Sequence, residues 1–174
     1  MELLPFPKHI LTMLSITSPN SEYLVEVGLP SWCAPHLYFG DFEGVYLPQL
    51  KAWEWRSEWM ESYDTAVTNY PLSLVLGTAE HDEPIVLLPN KPEVFVFDTA
   101  GEKLQFLNSS ISSLGLVLSL FANLVELSVS KDQNSVVQKM VPNLLVNNFI
   151  DELHRIETRN SLWVSWAEQL SIKL

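Results

Sequence analysis

The sequence predicts an α+β fold, with a central, mostly antiparallel sheet of about five or six strands, flanking helices and a helical C-terminal part. The clearest sign lies between Leu72 and Ser110. Four strand-like runs, Leu72 to Leu76, Ile85 to Leu88, Val94 to Asp98 and Leu104 to Leu107, are separated by segments carrying Gly77, Pro84, Pro89, Pro92 and Gly101. Spacings this short favour sequential antiparallel neighbours, because a parallel partner needs a crossover of about a dozen residues or more. A second sign is the apolar run that follows Asn108-Ser109-Ser110, whose side-chain oxygens suit the free amides of a helix start. The third is the helical spacing of apolar residues after Pro142 and again after Ser161.

Taken in order, His9 to Ile16 reads as a short helix ending before Ser18-Pro19. Asn20 or Ser21 can cap a second helix running to Val27, with Gly28 as its stop, Pro30 beyond it, and Tyr23, Leu24 and Val27 on one apolar face. Pro35 interrupts Ser31 to Gly40, where His36 to Phe39 suits a short strand, and Gly40 to Gly44 reads as a loop. From Val45 to Tyr70 two readings stand. Trp53-Glu54-Trp55-Arg56 alternates like a half-buried strand, yet the segment also suits a partly helical path.

The helix from Ser109 to about Ser128 is apolar at 111, 114, 116, 117, 118, 120, 121, 124, 125 and 127, nearly all round. It should therefore lie on the sheet and be covered further by the C-terminal part. Gly115 within it costs about 1 kcal/mol relative to alanine and marks a close backbone approach. Lys131 to Asn134 reads as a loop. A helix over 142–157 follows, with Leu144, Leu145, Phe149, Leu153 and Ile156 at helical spacing, and a break at Thr158 to Asn160 precedes a last helix, Ser161 to Leu170, striped by Leu162, Trp163, Trp166 and Leu170. The 174 residues are expected to form one domain.

With one cysteine, Cys33, the chain can form neither an internal disulfide nor a cysteine zinc cluster, which fits a reducing cytoplasm. The first sixteen residues lack a basic lead-in and a small-residue cleavage pattern, so no signal peptide is expected. Ile111 to Val125 falls short of the ~20 apolar residues of a membrane span. Twenty-one acidic against ten basic residues give a net charge of −11, which repels a phosphate backbone and attracts a basic partner. Nucleic acid and membrane are accordingly not expected as partners.

No catalytic constellation, metal site or cofactor motif is expected. Adjacent residues in His81-Asp82-Glu83 point to alternate sides, which favours a solvated turn over a metal site. Asp151, His154 and Glu157 recur every three residues on one helix, but its neighbours Leu144, Leu145 and Phe149 bring no matching ligands, so an exposed polar stripe is expected. His9 and His36 read as packing or surface histidines, and Cys33 as a small buried thiol. Ser109 and Ser110 lie outside any Gly-x-Ser-x-Gly elbow and read as caps. The candidate contact surface for a partner is the acidic and aromatic tract of Trp53, Glu54, Glu58, Glu61 and Asp64, joined by the turn of Glu80, Asp82 and Glu83. Tryptophan supplies contact area and carboxylates supply steering; the plainer reading, tryptophans as core residues on a strand with the glutamates facing water, stands slightly ahead of it.

Several short motifs together resemble one family: Glu26-Val27-Gly28-Leu29-Pro30, Leu76-Gly77, Pro84-Ile85-Val86-Leu87, Val94-Phe95-Val96-Phe97-Asp98, Phe106-Leu107-Asn108-Ser109-Ser110-Ile111, and Trp163 or Trp166 with Leu170. The pattern, from about Tyr23 to Leu170, is similar to the SUKH superfamily of bacterial immunity proteins, most closely its fourth family. The Phe-Leu-Asn-Ser-Ser step is its most specific piece. The resemblance implies an α+β domain with no catalytic residues and no cofactor that binds and neutralises a cognate toxin protein, often a nuclease or deaminase, by stoichiometric occlusion in the bacterial cytoplasm. The rival reading is a scaffold or adaptor domain of the same fold with a partner unrelated to toxins. Neither the oligomeric state nor the toxin is legible in the residues.

Overall fold

The computed structural model describes residues 3–6, 16, 18–30, 32–33, 37–39, 49–50, 60–79, 83–98, 103–132, 135–138, 141–159 and 161–171, and the backbone alone at 4, 18–19, 32, 60–64, 128–132 and 135–138. In chain order the described elements are β1 (Leu3–Leu4), α1 (Ser18–Glu26), β2 (Leu29–Pro30), β3 (Trp32–Cys33), β4 (Leu37–Phe39), α2 (Met60–Asn69), β5 (Leu74–Thr78), β6 (Pro84–Leu87), β7 (Val94–Asp98), β8 (Lys103–Asn108), α3 (Ile111–Ser128), β9 (Val129–Asp132), β10 (Ser135–Gln138), α4 (Asn143–Ile156) and α5 (Leu162–Gln169).

Strands β3 to β8 form a six-stranded sheet in sequential order, every neighbouring pair antiparallel. This is the α+β architecture that the meander and the helical patterns predict. The expected strand Leu72 to Leu76 begins later, at Leu74, because Pro71 and Leu72 form a turn. Two short ribbons flank the sheet: β1 with β2, and β9 with β10. The second ribbon corrects the loop expected at Lys131 to Asn134, since Lys131 and Asp132 belong to β9 and pair with Val136 and Ser135. Val129, Val136 and Val137 supply the β-branched residues that favour it.

The alternation of β7 divides the interior in two. Val94 and Val96 join the larger core, with α1, α3, α4 and α5 on that face of the sheet. Phe97 joins Leu50, Ala66, Val75 and Val86 on the other face, under α2, with Phe95 packed at the margin. Tyr70 closes that side, edge-on to Phe97 with centroids 6.5 Å apart.

Two irregularities shape the sheet. Between Val75 and Gly77 the register with β6 shifts, and a Cβ on Gly77 would sit 1.9 Å from the Tyr38 carbonyl oxygen of β4. Only glycine permits that approach of two backbones. In β8 the pairs Phe95 with Phe106 and Val94 with Asn108 leave Leu107 as an extra residue. Such a bulge re-aims side chains, and here Leu107 and Asn108 are both fully buried in succession.

Helix α1 starts at Ser18, two residues before the expected cap, and ends as expected at Gly28, whose φ of 82° lets its amide reach the Tyr23 carbonyl at 3.0 Å. Within α3, what approaches Gly115 is a side chain and not a second backbone: a Cβ there would lie 1.9 Å from the Tyr23 hydroxyl. The all-round burial expected of α3 is incomplete. Leu116 and Leu127 remain 58% and 55% exposed, and in α4 Leu144 is 70% exposed while Val146 takes the buried place beside Phe149 and Leu153. The helix expected over His9 to Ile16, the loop Gly40 to Gly44 and the strand-or-helix alternatives at Trp53 to Arg56 lie essentially outside the described residues; α2 shows that the end of the Val45 to Tyr70 segment is helical.

Candidate partner-binding surface and the polar junction behind it

The Phe-Leu-Asn-Ser-Ser step sits where β8, α3 and the α4–α5 link converge, and each of its residues has a distinct physical task. Phe106 lies on the outer face of the sheet, edge-on to Phe95 at 6.2 Å, with the Arg159 guanidinium carbon 3.8 Å from its ring centroid. That is a cation–π stack at the sheet edge. Leu107, pushed inward by the bulge, is core. Asn108 accepts a hydrogen bond from the Trp163 indole N–H at 2.8 Å, giving a fully buried tryptophan the partner its one donor needs.

Ser110 caps α3. Its hydroxyl accepts the Ser113 amide at 3.0 Å while its own amide donates to the Ser113 hydroxyl at 3.1 Å, a reciprocal capping box with serine in the position that glutamate or glutamine usually fills. The missing carboxylate comes from elsewhere in the chain. Glu157, just past α4 and only 2% exposed, accepts the Ser109 amide at 2.6 Å and lies 3.4 Å from the Ser113 hydroxyl. A carboxylate at this end of an 18-residue helix also faces the positive pole of the helix dipole.

A second cap reaches α3 from α1. Asn20, fully buried, accepts the Ile111 amide at 2.9 Å through Oδ1 and donates to the Pro92 carbonyl at 3.0 Å through Nδ2. Asn20 therefore lies inside α1 and caps α3, which corrects the expectation that it caps its own helix. Glu157 likewise corrects the expected exposed stripe: Asp151 and His154 are exposed, but Glu157 is buried and bonded to backbone. The sequence signal for both was slight. A glutamate that follows a helix and precedes Thr158-Arg159-Asn160 reads as solvated, and its donor lies 48 residues away.

Of the sequence's contact candidates, Trp53, Glu54, Glu58, Glu80 and Asp82, with His81, lie outside the described residues. Glu61 and Asp64 are placed by backbone on the first half of α2, on the helical stripe of Thr65 and Thr68 and away from the buried Ala66. Glu83 is half-buried just before β6, its carbonyl accepting the Ala79 amide at 2.7 Å. By backbone Glu61 and Asp64 stand three residues apart on one helix, while Glu83 belongs to the segment before β6.

Cys33 is 2% exposed on β3, its thiol 3.8 Å from the Leu118 carbonyl, and burial pushes its pKa up to about 11, as expected of a packing thiol. Among the described residues no group of three or more His, Cys, Asp or Glu side chains could hold a metal ion, and no helix is long and apolar enough to cross a membrane.

The geometry is that of an α+β scaffold whose buried asparagines and glutamate are engaged in splicing helix ends to the sheet. A family model described as SUKH-4 immunity protein matches residues 2–158, and the chain belongs to that family of immunity proteins. The match includes Asn20, the Phe-Leu-Asn-Ser-Ser step and Glu157 and stops before Trp163, Trp166 and Leu170, which the sequence resemblance included. No curated protein and no solved structure matches the chain.

Proposed function

We propose that this chain binds a cognate toxin domain and neutralises it by stoichiometric occlusion, with no chemistry of its own. The observation that carries the reading is the family match, which spans residues 2–158 of 174. The charge of −11 supports it in kind. A nuclease or deaminase acting on nucleic acid must present basic groups to phosphate, and an acidic protein meets that surface with complementary charge and a raised association rate. An interface of ~1,600 Å² suffices to cover an active-site mouth. Trp53, Glu54, Glu58, Glu61 and Asp64, with Glu80, Asp82 and Glu83, form one candidate contact tract, and the site of action is the cytoplasm, where such a toxin meets its substrate.

The test is protection. The toxin domain encoded beside the chain's gene is induced in a host with and without this chain. The expected result is growth arrest without the chain and normal growth with it. Arrest in both cultures, with the chain folded and abundant, would overturn the reading.

A further inference from the structure

We infer that the toxin seats on the outward face of the α3–α4 pair, on the opposite side of the sheet from α2 and its acidic positions. The inference rests on the immunity reading and names its surface. Leu116 and Leu127, 58% and 55% exposed, are eleven residues apart on α3, so three helical turns place them on one stripe about 16 Å long. Phe121 packs on Phe149 at 5.8 Å and Ser113 meets Glu157 at 3.4 Å, so α3 and α4 run antiparallel. Each step forward on α3 is matched by a step back on α4, which sets Leu144, 70% exposed, level with the last turn of α3 and Leu127.

Exposed leucines alone do not identify an occupant, but the charges around these do. Glu26, Glu126 and Asp151 are exposed on α1, α3 and α4, three of the four helices of this layer. Among the described residues the last turns of α1 and α3 carry no basic residue, and the last turn of α4 carries the exposed His154 and Arg155, the latter paired with Glu152. A second copy of this chain would set carboxylates against carboxylates. A protein surface offering apolar side chains ringed by lysine or arginine fits both features, and that is the chemistry of a nucleic-acid-acting toxin domain around its substrate cleft.

The experiment measures association and dissociation of the purified chain on the catalytically inactivated toxin domain encoded beside it, at low and moderate salt. The double variant Leu127→Lys with Leu144→Lys is expected to speed dissociation by about tenfold or more. The pair Glu126→Lys with Asp151→Lys is expected to slow association at low salt, with the loss shrinking as salt rises. All four side chains are exposed, so thermal unfolding should match the parent and exclude misfolding as the cause. Parent-like kinetics in both variants would overturn the surface and leave occlusion standing, as would loss of binding confined to Glu58→Lys with Glu61→Lys. A dimer in sedimentation that Leu127→Lys with Leu144→Lys disperses would assign the face to a second copy instead. Failure of the parent chain to bind the toxin domain at all would overturn the immunity reading and this surface with it.

Discussion

The Glu157 carboxylate accepts the Ser109 amide at 2.6 Å, joining the end of α4 to the start of α3 across 48 residues of sequence. Hydrogen bonds to a buried charged group are worth about 1.5–3 kcal/mol each, and removing the acceptor leaves an orphaned donor behind. Glu157→Ala should lower the unfolding free energy in urea by about 2–3 kcal/mol. Glu157→Gln, which keeps one carbonyl acceptor, should lose about half as much. Equal stability of the alanine variant and the parent would show that the junction is incidental.

Asn20 ties α1 to both the Ile111 amide and the Pro92 carbonyl, so its removal strands the buried Ile111 amide and leaves the part-buried Pro92 carbonyl without this donor. Asn20→Ala should cost about 2–4 kcal/mol, against about 1 kcal/mol for Ser110→Ala, whose amide partner lies nearer solvent. Chemical denaturation of the two single variants measures the order. A larger loss at Ser110 would contradict it.

The two crowded glycines should behave differently. At Gly77 the obstacle is the Tyr38 backbone, which cannot move without unpairing β4 from β5, so Gly77→Ala should cost about 3 kcal/mol or more. At Gly115 the obstacle is the tip of the Tyr23 side chain. There the ring can swing aside and alanine regains about 1 kcal/mol of helix propensity, so Gly115→Ala should stay within about 1 kcal/mol of the parent. Thermal melts of both variants decide this.

Burial raises the Cys33 pKa from 9.0 to about 11, and that of Tyr23 upward from 10.0. In each case the folded state favours the neutral, protonated form, so the stability it contributes is complete below the unfolded value and declines as pH rises toward the folded one. The melting temperature should therefore hold near neutrality and fall above about pH 9. Cys33→Ala should flatten part of that fall. Alkylation of Cys33 by iodoacetamide at neutral pH should require unfolding, and fast labelling of the native protein would contradict its burial.

The meander was legible because strand alternation and turn residues are local: Val94 to Asp98 is β7 to the residue, β6 is shifted by one, and β8 extends one residue further at each end. The two-residue strands β1, β2 and β3 are too short to show any period. The polar junction was legible only in part. Ser110 announced itself as a cap because it precedes an apolar run. Asn20 and Glu157 did not, because the amide each satisfies belongs to an element 91 or 48 residues away. Leu116, Leu127 and Leu144 misled for the opposite reason, since an apolar side chain in a helical stripe reads as core until neighbouring helices are in place.

The most direct measurement is an activity titration of the purified toxin domain with the purified chain. Occlusion predicts a linear fall in activity that reaches zero at one equivalent, together with a one-to-one complex in native mass spectrometry. Undiminished toxin activity in excess chain, with both proteins folded, would contradict the central claim.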